Sequence, residues 1–233
     1  MNKEFFDTIK IGDLGGVEHL LSLDPSLIYE KDNGLSPVMV AAYSRKPQIT
    51  DFLSEKAGSL NIFESAAVGR INQIARHLAR DPMLVNAYAP DGFQPLGLAC
   101  HFGRYETAVY LIKAGAVVNS PSRNSLKVTP LHSAAAMGYN NVVLLLLNHD
   151  ANPNTKDCNG FTTLHTAAQI GNTDMIRTLL FNGADLTIRN RQGKLALELA
   201  VEAGHLDAVA LLREGITRRF KAFRSAHINI ENI

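Results

Sequence analysis

Apolar residues recur along this chain at helical spacing, in short bursts separated by polar, turn-forming stretches. Val142, Val143, Leu146 and Leu147 stand three and four apart, as do Met175, Ile176, Leu179 and Leu180. That spacing gathers apolar side chains on one side of a helix. Ahead of each such helix lies a shorter burst of one apolar and two small residues (Leu131, Ala134, Ala135; Leu164, Ala167, Ala168), which predicts a thin helix able to lie close to its neighbours. Ser36-Pro37 and Thr129-Pro130 open two of these short helices, an N-cap followed by a first-turn proline with no amide to waste. A glycine then ends the short helix in left-handed geometry and reverses the chain. After the second helix come stretches rich in Asn, Asp and Gly, such as HDANPNTKDCNG and NGADLTIRNRQG, which favour turns.

The same succession recurs. TPLHSAAAMGYNNVVLLLL from Thr129, TTLHTAAQIGNTDMIRTLL from Thr162 and LALELAVEAGHLDAVALL from Leu195 align with one another, with weaker copies from Gln94 and Ser36. The reversing glycine falls at Gly12, Gly69, Gly103, Gly138, Gly171 and Gly204, with Arg45 in its place once, giving steps of 33, 24, 34, 35, 33 and 33 residues. Seven repeats follow, roughly 1–30, 31–60, 61–88, 89–122, 123–155, 156–188 and 189–215. Two steps depart from the period. The 24-residue step sets NIFESAAVG directly after EKAGSL, leaving no room for a projecting turn near 58–61. The 35-residue step puts two extra residues near NSPSRNSLKV, with Lys127 where a turn glycine is expected. LDPSLI and RDPMLV read as matched longer turns.

Thr129-Pro130-Leu131-His132 and Asn182-Gly183-Ala184-Asp185 resemble the signature tetrapeptide and the end-of-repeat signal of the ankyrin repeat, and the likeness covers roughly residues 5 to 215. It implies an all-α solenoid of stacked helix-turn-helix repeats with short β-turn fingers, in which His132 and His165 bond neighbouring turns. Because a helix pair cannot bury its apolar side alone, the repeats are expected to stack as a single domain over 1–215. Residues 216–233, with Arg218, Arg219, Lys221 and Arg224 against Glu231, form a C-terminal segment. Two roles fit it: a helix folded over the open end through Phe220 and Phe223, or a basic tail that binds something.

Composition narrows the function. The chain has 233 residues, 46% hydrophobic and 19% charged, with 23 Lys and Arg against 22 Asp and Glu. Without the segment from Ile216 the balance is 19 basic to 21 acidic, or −2. Such near-neutrality lacks the positive field of a nucleic-acid binder. No signal peptide or run of about 18 apolar residues is visible, so an intracellular, cytoplasmic protein without a membrane span is expected.

Cys100 takes a small-residue place in a short helix and is expected to be buried. Cys158, at a turn tip, is expected to be exposed, and the two are too few for a disulfide framework. The histidines show no metal-ligand spacing: His132 and His165 are one repeat apart, and His19, His77, His149, His205 and His227 fall in surface helices, turns or the tail. No catalytic or phosphate-binding motif occurs, and GDLGG from Gly12 is a helix reversal. No catalytic residues, cofactor or metal are therefore expected.

The resemblance also implies a protein partner lying against the concave side made by fingers and first helices. The contact positions there are Leu35 with Tyr43 and Ser44; Phe93 with His101 and Phe102; Val128 with Ala136 and Met137; and Phe161 with Gln169 and Ile170. Lys194, Glu202 and Ala203 break the series. The candidate partner-binding residues are Leu35, Tyr43, Phe93, His101, Phe102, Val128, Met137, Phe161 and Ile170. A contiguous apolar run at water-facing places marks an interface, while packing between adjacent repeats is the competing account. The expected function is a non-enzymatic protein-interaction module (scaffold, inhibitor or adaptor), monomeric because its ends are capped. Two alternatives stand beside it: an enzyme with unrecognised chemistry, for which the repeats leave no separate domain, and membrane or nucleic-acid attachment through the basic tail.

Overall fold

Small residues set the spacing of the helices. Counting back four from six of the seven reversing positions, Ala41, Ser65, Ala99, Ala134, Ala167 and Ala200 are all fully buried, because a longer side chain there would hold neighbouring first helices apart; before Gly12 the place is taken by half-buried Thr8. The computed structural model describes the backbone of residues 2–228 and the side chains through Thr217. Among these residues the chain is all-α, its helices falling into consecutive pairs. The sheet content is one isolated antiparallel bridge between Asp32 and Leu35. Two compact units are formed, residues 1–124 and 125–233.

In the N-terminal unit the pairs are α1 (Asn2–Ile11) with α2 (Leu14–Leu23), α3 (Pro37–Tyr43) with α4 (Pro47–Ala57), α5 (Ile62–Val68) with α6 (Ile71–Arg80), and α7 (Pro95–His101) with α8 (Tyr105–Lys113). First helices pack on first helices: α1 on α3, α3 on α5, α5 on α7. Phe5, Ile9, Val17, Ile49, Leu53 and Leu60 belong to one buried cluster. In the C-terminal unit, α9 (Pro130–Ala136) pairs with α10 (Asn140–Leu147), α11 (Thr163–Gln169) with α12 (Thr173–Phe181), and α13 (Ala196–Glu202) with α14 (Leu206–Ile228). Leu131, Leu146, Leu164, Met175, Leu179 and Leu212 are buried between them.

The caps are local. Ser36 Oγ accepts from Met39 N at 3.4 Å at the start of α3. Asn61 and Glu64 form a reciprocal box on α5: Asn61 Oδ1 accepts from Glu64 N at 3.0 Å and Glu64 Oε2 accepts from Asn61 N at 2.9 Å, which satisfies a buried carboxylate. Arg45 takes the reversing glycine's left-handed conformation with φ 55°, and Lys127 does the same in its finger with φ 52°.

Three expectations need correction or detail. The segments read as longer turns are 3-10 helices, Pro25–Tyr29 and Pro82–Asn86, each capped by the aspartate before its proline (Asp24 Oδ1 to Ser26 N and Asp81 Oδ1 to Met83 N, both 3.0 Å). At the 24-residue step α4 joins α5 through four residues, 58–61. Two side chains of α6 tie this link down: Gln73 Oε1 accepts from Leu60 N at 2.7 Å, and His77 Nε2 donates to Leu60 O at 2.7 Å. The enlarged finger at the 35-residue step is anchored by Tyr88, whose hydroxyl bonds Ser120 Oγ at 2.9 Å and whose ring lies 4.0 Å beneath the Arg123 guanidinium. In the C-terminal segment the backbone of 216–228 continues α14 as one helix; the side chains of Phe220, Phe223 and His227 lie outside those described, and so does their packing.

Candidate partner-binding surface

The N-terminal unit carries five of the nine candidates, and four of them meet. Tyr43 at the end of α3 packs on His101 and Phe102 at the end of α7, with ring centroids 5.5 and 5.1 Å apart. His101 meets Phe102 edge-on at 4.8 Å and Phe93 at 6.3 Å. The first helices bring these positions together because each ends at the same register, so the last residue of α3 stands near the last of α7. Tyr43 Oη donates to Asp91 Oδ2 at 2.8 Å, while Asp91 Oδ1 accepts from Phe93 N at 3.1 Å, so one carboxylate orders both the finger and the phenol.

All four rings are half-buried. Burial, then the neighbouring Asp91, push the Tyr43 phenol far above its ordinary range, which keeps it a donor. Burial, then the nearby Arg45 charge, hold His101 below the ordinary imidazole value against the opposing pull of Asp91. Leu35, the fifth candidate, is half-buried against the core cluster.

In the C-terminal unit, Val128, Met137 and Phe161 are half-buried and Ile170 is 43% exposed. Phe161 packs against His165 at 5.5 Å. The series does break at the last pair: Lys194 Nζ meets Glu202 at 2.7 Å.

The two motif histidines bond the next turn. His132 Nε2 donates to Phe161 O and His165 Nε2 to Lys194 O, both at 3.1 Å. Cys100 is fully buried, and burial raises its thiol pKa. Cys158 is half-buried rather than exposed, because its amide donates to Leu126 O at 3.0 Å and holds it against that neighbouring segment. Among the described residues no three His, Cys, Asp or Glu side chains converge as a metal site would require, and no helix is long and apolar enough to cross a membrane.

One recurring position escaped the sequence reading. The residue after the reversing position reaches back to the preceding helix pair: Lys46 Nζ donates to Ile11 O at 3.0 Å, Arg104 Nε to Ala67 O at 3.0 Å, and His205 Nε2 to Gln169 O at 3.1 Å. Each lies over the previous reversing glycine, where a Cβ on Gly171 would come within 2.5 Å of the His205 ring. Lys, Arg and His share only their reach and an N–H donor, so the pattern is invisible as residue identity. His77 and His205, read as plain surface residues, are both structural donors.

Paired helices with small-residue contacts and fingers joined by histidine define an all-α repeat protein. A family model for ankyrin repeats (3 copies) matches residues 62–157 and 150–219, more than half of the chain, and the protein belongs to the ankyrin-repeat family. Relatives include the transient receptor potential cation channel subfamily A member 1 homolog of Caenorhabditis elegans, 29% identical over 133 residues, which are 56% of this chain and 10% of that protein. The putative E3 ubiquitin-protein ligase XBAT35 of Arabidopsis thaliana is 37% identical over 93 residues, 40% of this chain and 20% of that protein. The ankyrin repeat and KH domain-containing protein mask of Drosophila melanogaster is 35% identical over 95 residues, 39% of this chain and 2% of that protein. The chain thus spans a fifth or less of the length of each of these relatives.

Proposed function

We propose that this chain is a non-catalytic protein-binding module that holds a protein partner on its concave side, where fingers and first helices meet. Ankyrin repeats are protein-interaction modules, and the observation that supports this place is the half-buried cluster of Tyr43, Phe93, His101 and Phe102. Rings packed on one another lose little side-chain freedom when a partner covers their remaining surface, and aromatic residues are enriched at the centres of interfaces. Leu35 in the same unit, and Val128, Met137, Phe161 and Ile170 in the other, hold the corresponding positions and are assigned to the same role.

The test uses Ile170, the most exposed of the nine, together with Phe102. Ile170→Glu should leave the melting temperature unchanged while reducing partner capture from a nuclease-treated extract. Phe102→Ala should reduce capture by more than its cost in stability accounts for. Capture that both variants leave intact would remove the concave side from the reading.

A further inference from the structure

Three Asn-Gly pairs occur in the chain: Asn33-Gly34, Asn159-Gly160 and Asn182-Gly183. Such a pair carries its own reaction. The glycine amide nitrogen, once deprotonated, attacks the side-chain carbonyl carbon of the asparagine. A nitrogen–Cγ bond forms, the bond from Cγ to the side-chain nitrogen breaks, and that nitrogen leaves as ammonia. The product is a five-membered succinimide. Water then adds to either ring carbonyl and opens it to aspartate or to isoaspartate, whose backbone runs through an extra methylene.

The fold treats the three pairs differently. In the finger Asp157–Phe161 the loop has three residues, and Gly160 N closes back onto Asp157 O at 3.1 Å. Gly160 is buried, with Arg191 N 2.9 Å from where its Cβ would stand. At the end of α12, Gly183 N donates to Leu180 O at 3.2 Å, so the nucleophile is held there too. The finger Asp32–Leu35 is one residue shorter. Asp32 and Leu35 exchange both backbone bonds at 2.9 Å, leaving Asn33 (φ 51°) and Gly34 (φ 82°) as a two-residue hairpin tip. Both tip residues are exposed, and among the described residues Gly34 N donates to no backbone carbonyl.

We propose that Asn33 is a site of spontaneous deamidation, selected by the length of its finger, and that its conversion rewrites that finger. The Asn33 amide donates to Asp32 Oδ1 at 2.9 Å, and Asp32 Oδ2 meets Lys10 Nζ at 2.6 Å. Conversion replaces this donor with a second carboxylate beside Asp32. In the isoaspartate form, a two-residue tip lengthened by a methylene cannot keep both bonds between Asp32 and Leu35.

The full chain is incubated in warm, mildly alkaline buffer, digested and mapped by peptide mass, with a parallel sample in urea. In the folded chain Asn33 should convert about tenfold faster than Asn159 or Asn182, the factor set by about 1.4 kcal/mol of opening for each held amide. The product should contain isoaspartate, the mark of the ring. In urea the three rates should converge. Asn33→Gln, which would have to form a larger and slower ring, should abolish the fast conversion without changing the other two sites. Equal rates at the three sites in the folded chain, or a fast mass gain that persists in Asn33→Gln, would overturn the proposal.

Discussion

His132 Nε2 donates to the backbone carbonyl of Phe161 across 3.1 Å, and this one bond fixes the state of the ring. The carbonyl can only accept, so Nε2 carries the proton. Nδ1 must then accept from Thr129, whose N–H and hydroxyl lie 3.3 and 2.8 Å away. His165 repeats the arrangement with Thr162 and Lys194. Burial foremost holds both imidazoles below their ordinary pKa, and a proton on Nδ1 would face the backbone N–H of Thr129 or Thr162, which can only donate.

These histidines therefore make stability depend on pH in one direction. Folded values lie below the unfolded value of about 6.5, so their contribution is complete above that pH and is lost as pH falls through the lower folded values. The melting temperature should fall on acidification below about pH 6.5, and more steeply in the parent than in a His132→Gln, His165→Gln variant. Equal slopes would show that the two rings take up protons alike in the folded and unfolded chain. At neutral pH, His132→Ala should cost about 1–3 kcal/mol, the penalty for leaving partly buried partners unpaired, measured by denaturant titration.

Arg45 holds φ 55° where the other six reversals use glycine. Left-handed geometry costs a non-glycine residue roughly 1–2 kcal/mol, partly offset by the greater freedom of glycine when unfolded. Arg45→Gly should therefore raise stability by about 0.5–1 kcal/mol. A loss in the thermal melt would mean that the interactions of the Arg45 side chain outweigh the strain.

Thr163 opens α11 where Pro37, Pro95 and Pro130 open α3, α7 and α9, and its buried hydroxyl has no hydrogen-bond partner among the described residues. Thr162 already holds ψ 169°, which suits a residue before proline. Thr163→Pro removes the orphan hydroxyl and presets the first helical turn. The expected gain is about 1 kcal/mol; a lower denaturation midpoint would contradict it.

Gln73 bonds both Leu60 N and Gly58 O across the shortened link, at 2.7 and 3.3 Å. Gln73→Ala should cost about 1–3 kcal/mol through the unpaired Leu60 amide. Gln73→Glu keeps only an acceptor and should recover most of that loss. If both variants match the parent in urea titration, water serves the link as well as the side chain.

Phe102→Ala removes ring contacts with Tyr43 and His101. At about 0.5–1.5 kcal/mol per aromatic pair, a loss of roughly 1–3 kcal/mol is expected. An unchanged melt would show that the rings meet without supporting one another.

The paired helices were legible because period, small residues and reversals are each written in local residue identity. Arg45 was found as a substitution in a ruler otherwise made of glycine and Lys127 in the place of a turn glycine, and both adopt the left-handed conformation. The links were less legible. Nothing local in Gln73 or His77 says that the missing finger leaves Leu60 for them to bind, and DPSLI and DPMLV have the proline and aspartate of a turn while closing a 3-10 helix. Within the candidate surface, the register of Tyr43, His101 and Phe102 was readable, but their stacking depends on how closely first helices approach. The bond from Tyr43 to Asp91 spans 48 residues and needed the fold.

The back-reaching donors run in one direction: Lys46 serves Ile11, Arg104 serves Ala67 and His205 serves Gln169, never the reverse. A chain made from its N-terminus therefore emerges from the ribosome with each of these carbonyls waiting on a residue still to be added. Ile11 waits through 35 further residues and Ala67 through 37, so a helix pair completes its hydrogen bonding only when its successor has been synthesised and folded against it.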